Sequence, residues 1–171
     1  MPGSEDVRPA RAADLKMLAG IEESGTQMYE AEFGDLTGDP LAAPAQRGGD
    51  RADRPGFLLV VGAVGDPVGF VHVEVIDGFA HLAQLSVRPE AGRRGLGTAL
   101  VRAAMREAYL LGFDRLSLTT FRDVPWNAAF YRSLGFAEEA HPMAFEVQIR
   151  AHEVKEGLDR HQPRIVMSVA L

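Results

Sequence analysis

The sequence predicts a mixed α/β domain of the α+β type, with a central, mostly antiparallel sheet flanked by helices. Three observations predict it. Residues 57–62, 67–75 and 79–87 are rich in β-branched and aromatic side chains and are separated by the short turns Val64-Gly65-Asp66-Pro67 and Asp77-Gly78, the pattern of a hairpin meander. After Pro89 the apolar residues fall at helical spacing, with Leu100, Ala104, Ala108 and Leu111 on one stripe. Strand and helix signals then alternate to Leu171, so the helix after Gly97 joins two strands as a right-handed crossover would.

The elements follow in order. Val7-Arg8-Pro9-Ala10 is a short strand, and the helix after it is capped near Asp14, whose carboxylate accepts from free N–H groups of the first turn while Leu15, Leu18, Ala19 and Ile21 form its apolar face. Residues 34–56 are rich in Gly, Pro, Asp and Ala without a steady period, and are expected to form a mobile loop. Gly112 ends the long helix, and residues 115–121 return as a strand. A short helix over 126–134 ends at Gly135, and Phe136 begins another extended stretch. The tail divides into a helix over 143–156 and a strand over 164–171, bounded by Gly157 and Pro163.

At 171 residues the chain is sized for one domain, 1–171, around a single core. It contains no cysteine, which excludes disulfides, thiolate metal sites and a cysteine nucleophile and fits a reducing cytoplasm. A formal charge of −6 disfavours nucleic acid as a partner, and no stretch has the length or apolarity of a membrane span or leader peptide. No metal-ligand pattern is present.

The most informative stretch is Leu85-Ser86-Val87-Arg88-Pro89-Glu90-Ala91-Gly92-Arg93-Arg94-Gly95-Leu96-Gly97-Thr98. A strand, a basic Gly-rich turn and a helix start follow one another. Glycines let the backbone come close to an anion, so the N–H groups at the helix start can converge on a phosphate, with Arg93 and Arg94 adding charge-assisted bonds. A P-loop would need Gly-Lys-Ser/Thr here, and a dinucleotide fingerprint would need a different glycine order. Taken alone, the turn could equally be a basic helix cap.

A second segment, Trp126-Asn127-Ala128-Ala129-Phe130-Tyr131-Arg132-Ser133-Leu134-Gly135-Phe136, places Asn127 and Tyr131 four residues apart, on one face of a helix, beside an apolar stripe of Trp126, Phe130 and Leu134. Taken alone, Tyr131 is a half-buried aromatic with its hydroxyl in water.

Together, in this order, the two segments resemble those of the GCN5-related N-acetyltransferases, whose loop pattern is Gln/Arg-x-x-Gly-x-Gly/Ala. Gly92-Arg93-Arg94-Gly95-Leu96-Gly97 matches except at Gly92, where the family has Gln or Arg. The resemblance spans nearly the whole chain. It implies a sheet splayed at the cofactor strand, acetyl-CoA as co-substrate and a primary amine, on a small molecule or a peptide, as acceptor. It also implies cofactor contacts from Leu85, Ser86, Val87, the loop from Gly92 to Thr98, Asn127, Phe130 and Tyr131. Tyr131 then becomes the acid that protonates the departing thiolate, and a backbone N–H at Val87 or its neighbour faces the thioester carbonyl. Members of the family are often dimers, which leaves room for a homodimer.

The family often has a Glu on the fourth strand, where this chain has Ala83 and Gln84, so no base is carried over. Glu74, His72 and His81 are the alternatives, although each is by default a surface-facing strand residue, and a water relay from several of them serves as well. Arg150, His152 and Glu153 could line an acceptor pocket, with a solvated helix face as their default, while Met143 and Phe145 pack. The rival to catalysis is an acyl-CoA-binding or sensing module, which needs neither Tyr131 nor a base.

Overall fold

The structure is a computed structural model that describes residues 6–171. Among these, seven strands form one sheet: β1 (Val7–Pro9), β2 (Gly56–Ala63), β3 (Asp66–Ile76), β4 (Phe79–Val87), β5 (Arg115–Phe121), β6 (Ala137–Glu138) and β7 (Arg164–Ala170), in the spatial order β1-β2-β3-β4-β5-β7-β6. Every pairing is antiparallel except that of β4 with β5. The β3–β4 hairpin turns at Asp77 and Gly78, both with positive φ (52° and 84°), the backbone of a two-residue turn whose twist matches the flanking strands.

Six α-helices among the described residues accompany the sheet: α1 (Ala12–Ser24), α2 (Thr26–Phe33), α3 (Gly48–Ala52), α4 (Leu96–Leu110), α5 (Ala128–Ser133) and α6 (Ala144–Lys155). Residues alternate between the two faces of a strand, and the two apolar clusters follow that alternation. Val71 and Val73 join Leu82, Leu116, Leu118 and Met167 beneath Leu100, Val101, Ala104 and Ala108 of α4. Phe70 and Val60 face the other way and meet Leu18 and Ile21 of α1. Truncating a fully buried leucine such as Leu100 to alanine costs about 2–5 kcal/mol, so these clusters dominate the stability of the sheet.

Several expectations are corrected. Asp14 is not the N-cap of α1. Arg11 is, and Asp14 sits three residues further on, where its carboxylate accepts from Arg11 N at 2.7 Å. Leu111 lies beyond the end of α4 and is exposed, because the helix stops before the stripe reaches it. The 34–56 stretch is not structureless. It holds Leu36 in full burial, a 3-10 turn at Pro40–Ala42 whose first N–H is capped by Asp39, and α3. At Gly48 a Cβ would stand 2.1 Å from Leu15 O, so α3 is held hard against α1 by the absence of a side chain.

Candidate active site

The site begins with a fault in the sheet. Across β3 and β4, His72 pairs with Gln84 but Val73 pairs with Leu82, which leaves Ala83 as an extra residue in β4. Such a bulge bends its strand and disrupts pairing, as commonly happens beside functional sites. On the other edge, β4 pairs with β5 only at Ala80↔Leu116 and His81↔Ser117, after which the strands part. The expected splay is therefore present. A cavity of about 1210 Å³ opens at the parting, and its wall includes Leu85, Ser86 and Val87.

The Gly-rich loop forms one end of this cavity. A 3-10 turn at Pro89–Ala91 precedes it, and Arg93 (φ 61°) and Gly95 (φ 75°) both adopt left-handed backbone. Gly95 is the N-cap of α4. A Cβ there would meet nothing within 4 Å, so it is the dihedral angle and not space that calls for glycine. The first helical bond across this end is Ala99 N to Gly95 O at 3.0 Å, so the N–H groups of Leu96, Gly97 and Thr98 have no acceptor inside the helix. They stand at the positive end of a 15-residue helix dipole, in a wall that also includes Gly92 and Arg93. These residues fit a diphosphate. Arg94 is outside that wall.

Opposite the loop stands α5. Asn127 precedes its first turn, and Phe130 and Tyr131 follow, all three in the cavity wall. Asn127 is 7% exposed, and its Oδ1 accepts from Thr120 Oγ1 at 2.7 Å and from Tyr29 Oη at 3.4 Å. Tyr131 is 9% exposed and packs edge-on against Phe130 and Phe136. Burial disfavours its phenolate and raises the phenol pKa beyond its ordinary range, so the hydroxyl keeps its proton at working pH. The expected cofactor residues other than Arg94 thus converge on one cavity.

The expected bases divide. His81 and Glu74 line the cavity, whereas His72 lies behind its wall. Neither histidine faces the surface: His72 is 1% and His81 4% exposed, because the helices cover both faces of the sheet. Burial pushes each pKa down to about 4 and keeps the rings neutral. His81 Nδ1 lies 2.9 Å from Ser117 Oγ, and its ring stands edge-on to Phe145, which is buried as expected. Glu74 pairs with Arg54 at 3.5 Å.

Sequence reasoning missed Glu22 and Arg51. Both line the cavity and form an ion pair. It also gave Glu153 a solvated face by default, whereas this side chain is buried on α6 and bonded to Thr119, Arg150 and Arg164. The only prior signal was that these residues are charged. Their burial comes from partners distant in sequence.

Comparison with known proteins places this geometry. A curated mycothiol acetyltransferase of Pseudarthrobacter chlorophenolicus is 32% identical over 135 residues, 75% of this chain and 39% of the relative. The chain spans between 37% and 39% of the length of the curated relatives it matches. Among solved structures, the PaiA N-acetyltransferase of Thermoplasma acidophilum in complex with coenzyme A superposes with a TM-score of 0.66 at 16% identity, covering 97% of this chain and 98% of that one. The ribosomal-protein-S18-alanine N-acetyltransferase of Escherichia coli gives a TM-score of 0.67 at 20% identity over 96% and 92% of the two chains. At such identities the likeness is one of fold. A profile of the acetyltransferase (GNAT) family matches residues 21–136, a span that runs from α1 through the bulge, the glycine loop and the α5 tyrosine, and so the chain belongs to that family.

Proposed function

We propose that this protein transfers the acetyl group of acetyl-CoA directly to a primary amine, with Tyr131 protonating the departing thiolate. The carrying observation is that Tyr131 and the Gly95 loop line one cavity at the place where β4 leaves β5. A helix N-terminus suits the diphosphate at one end, and a buried, protonated hydroxyl suits a leaving sulfur at the other.

Acetyl-CoA, as co-substrate, supplies an activated thioester carbonyl. Beyond His81, the edge of β4 that faces the parting is free of ladder bonds to β5, so residues 85–87 are available to pair with the amides of an extended ligand arm as an added strand would. A backbone N–H at Val87 or its neighbour donates to the carbonyl oxygen as negative charge builds there. Tyr131 donates its proton to sulfur as the C–S bond breaks. The acceptor approaches from the other end of the cavity, where Glu22, Glu74 and His81 line the wall. An ammonium with an ordinary pKa near ~10.4 must lose a proton before it attacks, so a proton acceptor belongs there.

The test measures thiol release from acetyl-CoA across a panel of amines, alongside thermal stability with and without CoA. Amine-dependent thiol release together with a saturable rise in melting temperature supports the reading. A rise in melting temperature without thiol release from any amine favours a binding or sensing module.

A further inference from the structure

The acceptor end of the cavity holds a chain of charge that runs toward the bulge. The Glu22 carboxylate is ion-paired to Arg51 Nη2. Arg51 is 5% exposed, its guanidinium carbon lies 5.3 Å from the centroid of the Phe70 ring, and its Nη1 is 3.4 Å from His72 Nδ1. His72 faces Gln84 across the ladder, next to the bulged Ala83, and its Nδ1 is 3.9 Å from Glu74. Arg51 stands on α3, whose backbone at Gly48 packs hard against that of α1. A buried guanidinium holds a carboxylate of α1 at the mouth of the acceptor end.

We propose that Glu22 receives the acceptor's ammonium and takes its proton, with Arg51 as its positioning residue; this rests on the transfer reaction set out above. In the step, an ammonium N–H bond breaks and its proton goes to a Glu22 oxygen. The freed lone pair forms the bond to the thioester carbonyl carbon. The C–S bond breaks, and sulfur takes the Tyr131 proton. The proton that the new amide nitrogen sheds returns through cavity water to Tyr131, and Glu22 releases its own to solvent.

The other groups on this wall suit the role less well. His81 is tied to Ser117, and burial makes it a poor proton acceptor. His72 lies outside the wall. Burial opposes ionisation of Glu153, but Arg164, Thr119 and Arg150 outweigh it and draw the carboxyl pKa down, which makes Glu153 a weaker base. Glu23 is exposed and accepts from Ala45 N at 3.1 Å. Glu74 is steadied by Arg54 and makes the natural control. Around Glu22 itself, burial raises the carboxyl pKa and Glu23 adds to the rise, while Arg51 opposes it, with Glu74 and Arg54 beyond Arg51. The net direction is upward, toward that of a working base.

The experiment compares wild type, Glu22→Gln, Glu22→Asp, Glu74→Gln, Arg51→Met and Arg51→Lys by pH–rate profiles on an amine that wild type acetylates. The CoA-induced rise in melting temperature serves as the folding control in each. Glu22→Gln is expected to lose the acid limb of kcat and about 100-fold of kcat at neutral pH while keeping the CoA response, and Glu22→Asp to restore part of both. Arg51→Met removes the opposing cation, so the limb moves to higher pH, and Arg51→Lys keeps it near its wild-type position. A role confined to packing would leave the limb where it was. If Glu22→Gln keeps the limb with kcat within a few-fold of wild type, or if Glu74→Gln abolishes the limb instead, the inference is overturned while the transfer reaction stands. If wild type binds CoA and acetylates no amine, both fall.

Discussion

The Thr120 hydroxyl, on β5, donates to Oδ1 of Asn127 at 2.7 Å, and both buried side chains line the cavity where β4 and β5 part. The bond fixes the amide plane of Asn127 and leaves its Nδ2 to serve the cavity. Asn127→Ala is therefore expected to strip Thr120 of its acceptor, costing about 1–3 kcal/mol, and to raise the Kd for CoA about tenfold. Denaturant unfolding and calorimetric titration separate the two effects. Unchanged CoA affinity in Asn127→Ala would confine Asn127 to a structural role.

Tyr131→Phe keeps the ring contacts with Phe130 and Phe136 and removes only the proton donor. Its kcat should fall about 100-fold with little change in the Kd for CoA. Because burial holds the phenol protonated, the wild-type rate should show no alkaline limb from this residue up to the ordinary tyrosine pKa near ~10. A limb below that pH that disappears in Tyr131→Phe would contradict the assignment.

Gly95 carries the left-handed backbone of the loop to which the proposal gives the diphosphate. A side chain there is strained at φ 75°, and Gly95→Glu also sets at the helix N-terminus a charge that repels the proposed diphosphate. The expected result is loss of the CoA-induced rise in melting temperature with only about 1–2 kcal/mol of lost stability. A retained CoA response in this variant would move the diphosphate away from the loop.

Asp14 is fully buried and accepts four hydrogen bonds: from Arg8 Nη1 and Nη2 at 2.7 and 3.0 Å, from Arg11 N at 2.7 Å, and from Gly65 N at 2.8 Å. The Arg8 contact, followed by the two backbone donors, holds its carboxyl well below the usual range. A depressed carboxyl pKa stabilises the fold above the unfolded value near ~3.9, and the contribution is lost as pH falls below it. The buried neutral rings of His72 and His81 act in the same direction at higher pH. Their pKa values drop from 6.5 to about 4 on folding, so stability declines as pH falls between those values. Unfolding free energies measured by denaturant should therefore decrease in two stages on acidification, and Asp14→Asn should shrink the lower one, to which Asp39, Glu139, Glu153 and Asp159, also held below their usual range, contribute as well.

The elements that the sequence made legible are those with a strong period. β5 has the predicted bounds, and α6 lies within one residue of them at each end. Helix α2 was not read because none of its residues is fully buried and no apolar stripe announces it. Helix α3 was hidden by its composition, Gly-Gly-Asp-Arg-Ala, and exists through its fit against Leu15. In the site, the residues tied to backbone geometry were readable, since Gly95 and Gly97 stand out in any sequence. Glu22 and Arg51 were not, and Glu153, read as a residue that could line the acceptor pocket and found in its wall, was not readable as buried, because a charged residue on a helix has solvent as its default partner and only tertiary pairing overrides it. The charge at the acceptor end is thus the part of the site that needed coordinates.

The two-rung junction between β4 and β5 has a consequence for the protein without its ligand. Past Ala80 and His81, the parted stretch of β4 offers an unpaired edge in the interior of the sheet, where edges are normally absent. Unpaired edges recruit extended chains, from other molecules as readily as from a ligand. If CoA pairs with this edge as proposed, it should also shield the edge from other extended chains, so light scattering is expected to show less self-association with CoA than without it.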